Sequence, residues 1–493
     1  MNKEEIGKID QMCHPRGLAI FGGVSRQGAF ANTILLSHLI YGFKGKIYPI
    51  SRQGEEVAGL RIYRKLSDVD GPVDMACVAV PFNAVPGVLR ECLDFGVAGV
   101  TIQASGFAET GQKEGIELQK EIERFAELGL MIVGPNCFGI HCPESRLTFL
   151  PGPDFPKEPG NIGMVFQSGG LVTDLIHEAA GTGVRFSKAF SFGNGSGLDA
   201  IKLIEYLADD SETEIITAYL EGVDDGRRFL ETIKTVSAKK PVLVWKGGLT
   251  PPGSRATISH TGSMGGEAHI WNCALHQANV LPIQGFDNIM DTLVALSFLK
   301  CENNRIGVIG GGGAIGVYAA DLAFQLGLEV PRLSDETQKI LKKIFPQPGA
   351  GMNNPIDMAR PSLPVDLVKA LVKEVMIREP IDTMVVNTII NALEVGPRIF
   401  NQHFGASPPA GQQYLDELLV SLNELKQETG KDIVLVLENR AHWVEDIGAE
   451  TLLRRAREKF QKTGIPVFAN SSRALTGLKN ALTARRLTAV ASN

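Results

Sequence analysis

His260 stands between two hydroxyl residues, Ser259 and Thr261, and Gly262, Gly265 and Gly266 follow it within six residues. An imidazole in that setting is a nucleophile with room to move and with backbone N–H groups close at hand. The run Pro241-Val-Leu-Val-Trp-Lys246 reads as a strand, and Thr250-Pro-Pro-Gly253 cuts the histidine off from it, so His260 is expected on a loop. Taken alone, the stretch is also what a solvent-facing structural histidine looks like, and the elements around it have to decide.

Those elements alternate short apolar runs with amphipathic ones, the pattern of parallel strands joined by helices. Leu18–Phe21, Lys46–Ile50, Met75–Val80, Gly99–Ile102 and Leu130–Val133 read as the strands of a doubly wound sheet. The first of them runs into Gly22-Gly23-Val24-Ser25-Arg26-Gln-Gly28 and then a helix from Ala31 to Tyr41. A glycine turn at that junction lets a phosphate approach the helix N-terminus, and a hydroxyl and a guanidinium add donors. After a proline- and glycine-rich seam from Pro151 to Gly160, which reads as a linker, a second unit begins. Ile162–Gln167 runs into Ser168-Gly169-Gly170 and a helix to about Ala180; Phe190-Ser-Phe-Gly193-Asn194 and Ile215–Glu221 follow. In parallel sheets ligands collect at the carboxyl ends of strands, and Ser168, Asn194, Glu221 and His260 all lie at or just past such an end.

A third unit opens near Arg305 with Ile306-Gly-Val-Ile-Gly310-Gly311-Gly312-Gly313-Ala-Ile-Gly316, and continues through strands near Met384, Ile433 and Val467. Gly311-x-Gly313-x-x-Gly316 has the form of a dinucleotide fingerprint, with Glu329 downstream, so an NAD-dependent oxidoreductase is the competing expectation. Asn353-Asn354-Pro355-Ile-Asp357 precedes a loop marked by Arg360, Pro361 and Pro364, and the bond into Pro355 is a candidate for cis.

Composition sets outer limits. The 493 residues allow about three domains, and 44% apolar and 21% charged residues are globular values. A net charge of -6 gives no reason to expect nucleic acid or an anionic membrane as partner. The charged N-terminus and the lack of a long apolar window make a cytoplasmic protein the expectation. Cys13, Cys77, Cys92, Cys137, Cys142, Cys273 and Cys301 are too scattered for a disulfide framework or a zinc site, so reduced thiols and no metal are expected.

Six motifs, taken in order, carry a resemblance: Gly134-Pro-Asn136-Cys137-Phe138-Gly-Ile140, Gln167-Ser168-Gly169-Gly170, Gly193-Asn194 with Asp199, Tyr219-Leu-Glu221, Ser259-His260-Thr-Gly262, and Asn354-Pro-Ile-Asp357. From about Gly17 to near Leu482 the chain resembles the nucleoside-diphosphate-forming acyl-CoA synthetases. The likeness is to the α subunit of the ADP-forming acetyl-CoA synthetase type and, more distantly, to the succinyl-CoA synthetase α subunit. The resemblance implies an α/β fold of three consecutive doubly wound domains: a Rossmann-like CoA-binding domain at 1–150, a CoA-ligase domain with the phosphohistidine loop at 151–300, and a second flavodoxin-like CoA-ligase domain at 301–493.

It also implies the reaction acid + CoA + ATP ⇌ acyl-CoA + ADP + phosphate, passing through an acyl phosphate and a phosphorylated His260 whose imidazole Glu221 holds. CoA would meet Gly22, Gly23, Val24, Ser25, Arg26, Arg52 and Pro81; phosphate and the acyl group would meet Asn136, Cys137, Ser168, Gly169, Gly170 and Asn194. The chemistry agrees: imidazole attacks phosphorus through a nitrogen without a proton, and a carboxylate at the other nitrogen fixes that tautomer and steadies the cation that develops. Since no Walker stretch and no ATP-grasp domain is found, Mg-ATP or ADP is expected on a separate ATP-grasp β subunit in an α2β2 assembly. A non-catalytic CoA-sensing module is the remaining alternative. The family often has Asn-Pro-Lys after the second strand; Ser51-Arg52-Gln53 stands here, so the basic residue is displaced to Arg52 or missing. Phe138 and Ser263-Met264 replace smaller or aliphatic residues, which either marks a larger or aromatic acid or serves packing.

Overall fold

The computed structural model describes residues 1–152, 154–261, 266–310, 312–360, 363–394, 399, 401, 403, 405, 411–440 and 443–492, with the backbone alone at 258–261. It forms two compact units: Met1–Ala180, Arg185–Gln284 and Leu487–Asn493 make the first, Gly181–Val184 and Gly285–Arg486 the second.

The first unit holds two large sheets. Helix α1 (Lys3–Cys13) leads into β1 (Gly17–Gly22), α2 (Phe30–Tyr41), β2 (Lys46–Ile50), a small hairpin of β3 (Glu56–Val57) and β4 (Leu60–Arg61), β5 (Met75–Ala79), α3 (Val85–Phe95), β6 (Gly99–Ile102), α4 (Lys113–Glu127) and β7 (Met131–Val133). The order β2-β1-β5-β6-β7 is parallel throughout, with Leu18 opposite both Ile47 and Met75. Leu18, Ile20, Cys77, Val78, Val100 and Ile132 are fully buried, as strands covered by helices on both faces require.

Leaving β7, the chain supplies β8 (Gly139–Cys142) and β9 (Leu147–Thr148), and these already belong to the second sheet. It continues through β10 (Ile162–Phe166), α5 (Gly169–Thr182), β11 (Phe186–Ser191), α6 (Ala200–Asp209), β12 (Ile215–Leu220), α7 (Gly226–Ser237), β13 (Val242–Lys246), α8 (Pro251–Thr261), α9 (Ala268–Gln277) and β14 (Leu281–Pro282). The order is β14-β13-β12-β10-β11-β8-β9, with β10 to β14 parallel and β8 antiparallel to β11. The described residues of the 151–160 seam lie outside helices and strands yet are tied down: Phe155 is buried and stacks on His177, and the Pro156 carbonyl accepts from the Tyr41 hydroxyl at 2.7 Å.

The second unit is built on β15 (Ile306–Gly310), β16 (Gly351–Met352), β17 (Ile356–Asp357), β18 (Thr383–Ile389), β19 (Asp432–Glu438) and β20 (Val467–Phe468), in the order β16-β17-β15-β18-β19-β20. The Asn354–Pro355 bond is cis, as is Gly134–Pro135. If only the parallel strands are numbered along the chain, all three large sheets share the order 2-1-3-4-5. Each therefore reverses direction beside its first strand, between β1 and β5, β10 and β12, and β15 and β18, where such folds bind ligands.

One expectation is corrected. Residues before and at the histidine form a helix, α8, rather than a loop. Thr250 starts it, its carbonyl accepting from Ser254 N–H at 2.7 Å and its Oγ1 from Gly253 N–H at 3.2 Å. Pro251 and Pro252 occupy the first two helical positions, where a backbone N–H has no intrahelical acceptor to lose; there proline begins a helix instead of breaking one. Ser259, His260 and Thr261 belong to its last turn. Their side chains, and residues 262–265 with Gly262, Ser263, Met264 and Gly265, lie outside the described residues, as do Gly311 and Pro361. Among the described residues no helix is long and apolar enough to cross a membrane, and all seven cysteines are free thiols.

Candidate active site

At the end of β1, Gly22 has φ +144°, and a Cβ there would stand 2.4 Å from the Ala79 carbonyl oxygen and 2.9 Å from Ala31 Cβ. Glycine lets β1, β5 and the first turn of α2 close on one another. The turn folds back on itself, Val24 N–H donating to the Gly22 carbonyl at 2.9 Å and Arg26 N–H to that of Gly23 at 3.1 Å, while Asn32 Nδ2 holds the Val24 carbonyl at 2.7 Å. Ser25 and Arg26 are exposed at its tip. Ala29 precedes α2 and offers no side-chain cap, so the first N–H groups of that helix face the turn uncapped. Gly54, in the loop after β2, sits so that a Cβ would be 3.2 Å from Ser25 Cβ, which brings the Arg52 loop alongside. Pro81 lies just past β5. The expected CoA residues are thus gathered at the ends of three neighbouring strands.

In the second sheet β13, β12, β10 and β11 lie side by side, and their carboxyl ends lead into α8, Glu221, Ser168–Gly170 and Asn194 in that order. Ser168 Oγ accepts from Leu171 N–H at 3.4 Å, and nothing lies within 4 Å of where a Cβ of Gly170 would be, so the start of α5 is open. Asn136 arrives from the first sheet with φ +56°. Gly193, also at φ +56°, is pressed against it: a Cβ would stand 2.2 Å from the Pro135 carbonyl oxygen and 2.3 Å from that of Asn136. Asn194 N–H donates to the Pro135 carbonyl at 3.0 Å and Ser196 N–H to that of Gly134 at 2.9 Å, so these two loops are laced together.

Cys137 departs from the expected set in one respect. Its thiol turns into the first sheet, 3.4 Å from the Ile102 carbonyl and 3.6 Å from Thr101 Oγ1, and burial pushes it up to about 12. Only its backbone adjoins the site.

Glu221 is 4% exposed at the end of β12. Its N–H donates to Gln167 Oε1 at 2.8 Å and its Oε1 accepts from the Tyr219 hydroxyl at 3.2 Å; burial and the adjacent carboxylate push that phenol upward, keeping it a donor. The Glu221 carbonyl accepts from Lys246 Nζ at 2.8 Å, and Lys246 also bonds the Gly247 carbonyl. Lys246 is 2% exposed, its ammonium 5.1 Å from the Trp271 ring centroid. Burial lowers it to about 8, the Glu221 charge acting in the other direction. This lysine clamps the ends of β12 and β13 together, a role that sequence reasoning missed: the only local sign is a charged residue closing an otherwise apolar strand.

Glu109 and Gln119 were missed as well. Asn194 Nδ2 donates to Glu109 Oε2 at 2.7 Å and to Gln119 Oε1 at 2.9 Å, while Glu109 Oε1 takes the N–H groups of Gly106 and Phe107 at 2.6 and 3.1 Å. The short turn Ala108–Thr110 packs against α8, so Glu109 both anchors Asn194 and stands beside the helix of His260. Nothing in the Phe107-Ala-Glu109 sequence announces this.

The dinucleotide expectation fails on the placement of Glu329. That residue bridges Arg305 and donates its N–H to the Asn304 carbonyl at 2.9 Å, at the start of β15, whereas Gly310 ends the same strand and Gly313 opens the helix after it. A five-residue strand separates them by about 16 Å, too far for one nucleotide to meet both the glycine turn and a ribose-binding carboxylate there.

Parallel sheets of one shared order, with small turns at their reversal points, define a doubly wound α/β protein whose ligands are held at strand ends. Accordingly, residues 16–143 match a CoA binding domain and residues 159–296 a succinyl-CoA ligase like flavodoxin domain. Over 353 residues the chain is 36% identical to the α subunit of ADP-forming acetate–CoA ligase II of Pyrococcus furiosus, covering 71% of this chain and 76% of that one. The α subunit of isoform I from the same organism is 34% identical, again over 71% and 76%. With the ADP-forming acetate–CoA ligase of Methanocaldococcus jannaschii it shares 33% identity over 72% of its own length but only 50% of the relative's. A solved acetyl-coenzyme A synthetase 1 of Ca. Korarchaeum cryptofilum, in complex with phosphate and ADP, superimposes with a TM-score of 0.80 at 28% identity, covering 98% of this chain and 97% of that one. The chain belongs to the family of ADP-forming acyl-CoA ligase α subunits, which are acid–thiol ligases.

Proposed function

We propose that the chain, with an ATP-grasp β subunit in an α2β2 assembly, interconverts acid, CoA and ATP with acyl-CoA, ADP and phosphate, and that His260 carries the phosphoryl group. In the direction of ATP synthesis a phosphate oxygen attacks the thioester carbonyl, the C–S bond breaks and CoA leaves as the thiol. A ring nitrogen of His260 then attacks phosphorus, the bond to the acyl oxygen breaks, and the carboxylate departs; ADP on the partner subunit takes the phosphoryl group. The observation that carries this reading is the order of strand ends: α8, Glu221, the Ser168–Gly170 turn and Asn194 follow four adjacent strands.

Glu221 orients and steadies the imidazole. The Ser168–Gly170 turn and the open N-terminus of α5 receive phosphate, with Asn136 and Asn194 beside them. The Gly22–Arg26 turn, Arg52 and Pro81 receive CoA, and the uncapped first turn of α2 fits an anionic pyrophosphate. Asn194 Oδ1 and Gln103 Oε1 are buried with no partner among the described residues, which suits the amide donors of a pantetheine arm. The domain roles belong to the same reading: CoA binding by 1–150, phosphoryl relay by 151–300, and a second ligase domain at 301–493. Incubating the full chain with an acyl-CoA and phosphate should phosphorylate His260, seen by mass spectrometry under alkaline conditions, with discharge to ADP only once the partner is added. Full activity of His260→Ala, or ATP formation by the chain alone, overturns the reading.

A further inference from the structure

Two thiols and an imidazole from distant parts of the chain meet at the end of the second sheet away from the proposed site. Cys13 closes α1 and Cys142 closes β8; both are fully buried, while His14, next to Cys13, is exposed. His14 Nε2 lies 3.8 Å from Cys142 Sγ. Its Nδ1 is 3.2 Å from the Asp10 carbonyl, which can only accept, so in the neutral ring Nδ1 carries the proton and Nε2 turns a lone pair to the thiol. Ser145 Oγ serves the Cys13 carbonyl at 2.6 Å and the Cys142 carbonyl at 3.3 Å, and so holds the ends of α1 and β8 side by side. With His141 opposite Ala189 in the antiparallel pair of β8 and β11, Cys142 falls opposite Lys188, on the same face of the sheet. Lys188 is near the start of β11, whereas Asn194 follows its end. Its buried ammonium is held by Asp210 at 2.9 Å, and the Tyr206 hydroxyl donates to Asp10 at 2.6 Å. A cleft of about 280 Å³ lined by Asp10, His14, Lys188 and Tyr206 opens onto this group.

The thiolate, not the thiol, reacts with peroxide, and a cysteine is made reactive by a base within reach and by positive charge nearby. Cys142 has both, His14 at its sulfur and Lys188 across the strand pair. The Cys142 contact lifts His14 to about 8, burial acting in the other direction, as suits a ring that takes the thiol's proton. Burial is the main influence on Cys13 and pushes it up, which keeps it a thiol until an electrophilic sulfur is at hand. We propose that Cys142 and Cys13 are a redox-active pair with hydrogen peroxide as oxidant. Cys142 gives its proton to His14 and its sulfur attacks one peroxide oxygen; the O–O bond breaks, the departing hydroxide takes that proton and leaves as water, and Cys142 becomes a sulfenic acid. The Cys13 sulfur then attacks the Cys142 sulfur, the S–O bond breaks, and the second hydroxide leaves as water with the Cys13 proton. Two thiols are oxidised and one peroxide is reduced to two waters. The disulfide staples α1, which packs on β6 and β7 of the first sheet, to β8 of the second.

The test treats the full chain with equimolar hydrogen peroxide under native conditions and maps its thiols by mass spectrometry after digestion without reductant. A peptide linking Cys13 to Cys142 should form, and dithiothreitol should reverse it. Cys77 and Cys92 are equally buried and serve as internal controls. Oxidation by way of global unfolding reaches all of these thiols alike, whereas Cys142 should react about tenfold faster than either control, or more. Cys13→Ser should abolish the link and leave a sulfenic acid at Cys142 that dimedone traps. His14→Gln, a change at an exposed ring that the fold tolerates, should slow the link by about tenfold. Loss of thiols without the linked peptide, a link to another cysteine in place of this one, or a Cys142 rate no higher than that of Cys77 and Cys92 overturns the pair. A His14→Gln chain that links as fast as the wild type overturns it too, since the imidazole would then have no part in activating the thiol. No acyl-CoA, phosphate or nucleotide enters the assay, so its outcome is independent of the ligase reading.

Discussion

Replacing Lys246 by methionine separates charge from shape at the point where β12 and β13 end. The ammonium titrates at about 8 in the fold because it is buried, against 10.5 for an exposed lysine. Since the folded value is the lower one, the folded chain binds the proton less tightly than the unfolded chain. Below pH 8 the folded state carries a poorly hydrated charge, a penalty of about 3 kcal/mol at 1.36 kcal/mol per pH unit. As pH rises from there toward 10.5 the folded chain gives up the proton first, so stability increases. Between about pH 7 and about pH 9.5 this one group should add about 2 kcal/mol. Methionine removes the titration; it also removes bonds to the Glu221 and Gly247 carbonyls, about 1 kcal/mol each, which the lost charge penalty offsets at neutral pH. Urea unfolding followed by tryptophan fluorescence reports on the right region, since Trp245 precedes the lysine and Trp271 lies under its ammonium. The wild type and Lys246→Met should therefore be of similar stability near pH 7 and differ by about 2 kcal/mol near pH 9.5 in favour of the wild type. Parallel stability profiles across that window would refute the buried, charge-disfavouring site.

Under the proposed relay, Glu221→Gln keeps the shape of the strand end but loses the charge proposed to steady the imidazole, and should lower kcat by about a hundredfold or more while the CoA dissociation constant, from calorimetry, stays within about twofold. Equal losses in both would mean that Glu221 is structural only. Gly193→Ala forces a Cβ into the Pro135 and Asn136 carbonyls at a left-handed backbone position. A displacement of about 1 Å of Asn136 and Asn194 is enough to cost about a hundredfold in activity, with a loss of about 2–4 kcal/mol in chemical denaturation. A fully active, fully stable Gly193→Ala protein would show that the two loops are not held together as described.

Strands were the most legible part of the sequence. Strands buried on both faces leave uninterrupted apolar runs, and the turn that follows each must be small, so the sequence alone places Gly22, Ser168 and Gly310 at strand ends. What the sequence hid is of two kinds. Pro251 and Pro252 look like breakers because proline has opposite meanings at a helix start and in its interior, and only the Thr250 cap tells which applies. Glu109, Gln119 and Lys246 act on residues far along the chain, 85, 75 and 25 positions from their partners, and no local pattern encodes a contact of that kind. Glu329 misled for the complementary reason: its spacing fitted a motif, but it sits at the wrong end of β15.

The lacing of residues 134–136 to 193–196 has a mechanical corollary. The segment that leaves the first sheet also supplies β8 and β9, the last two strands of the second, and the two sheets fall in one compact unit. A thioester lying across them would rest on a gauge of fixed width with no hinge beneath it. Under the proposed reading, CoA and phosphate would meet at a separation that this lacing sets.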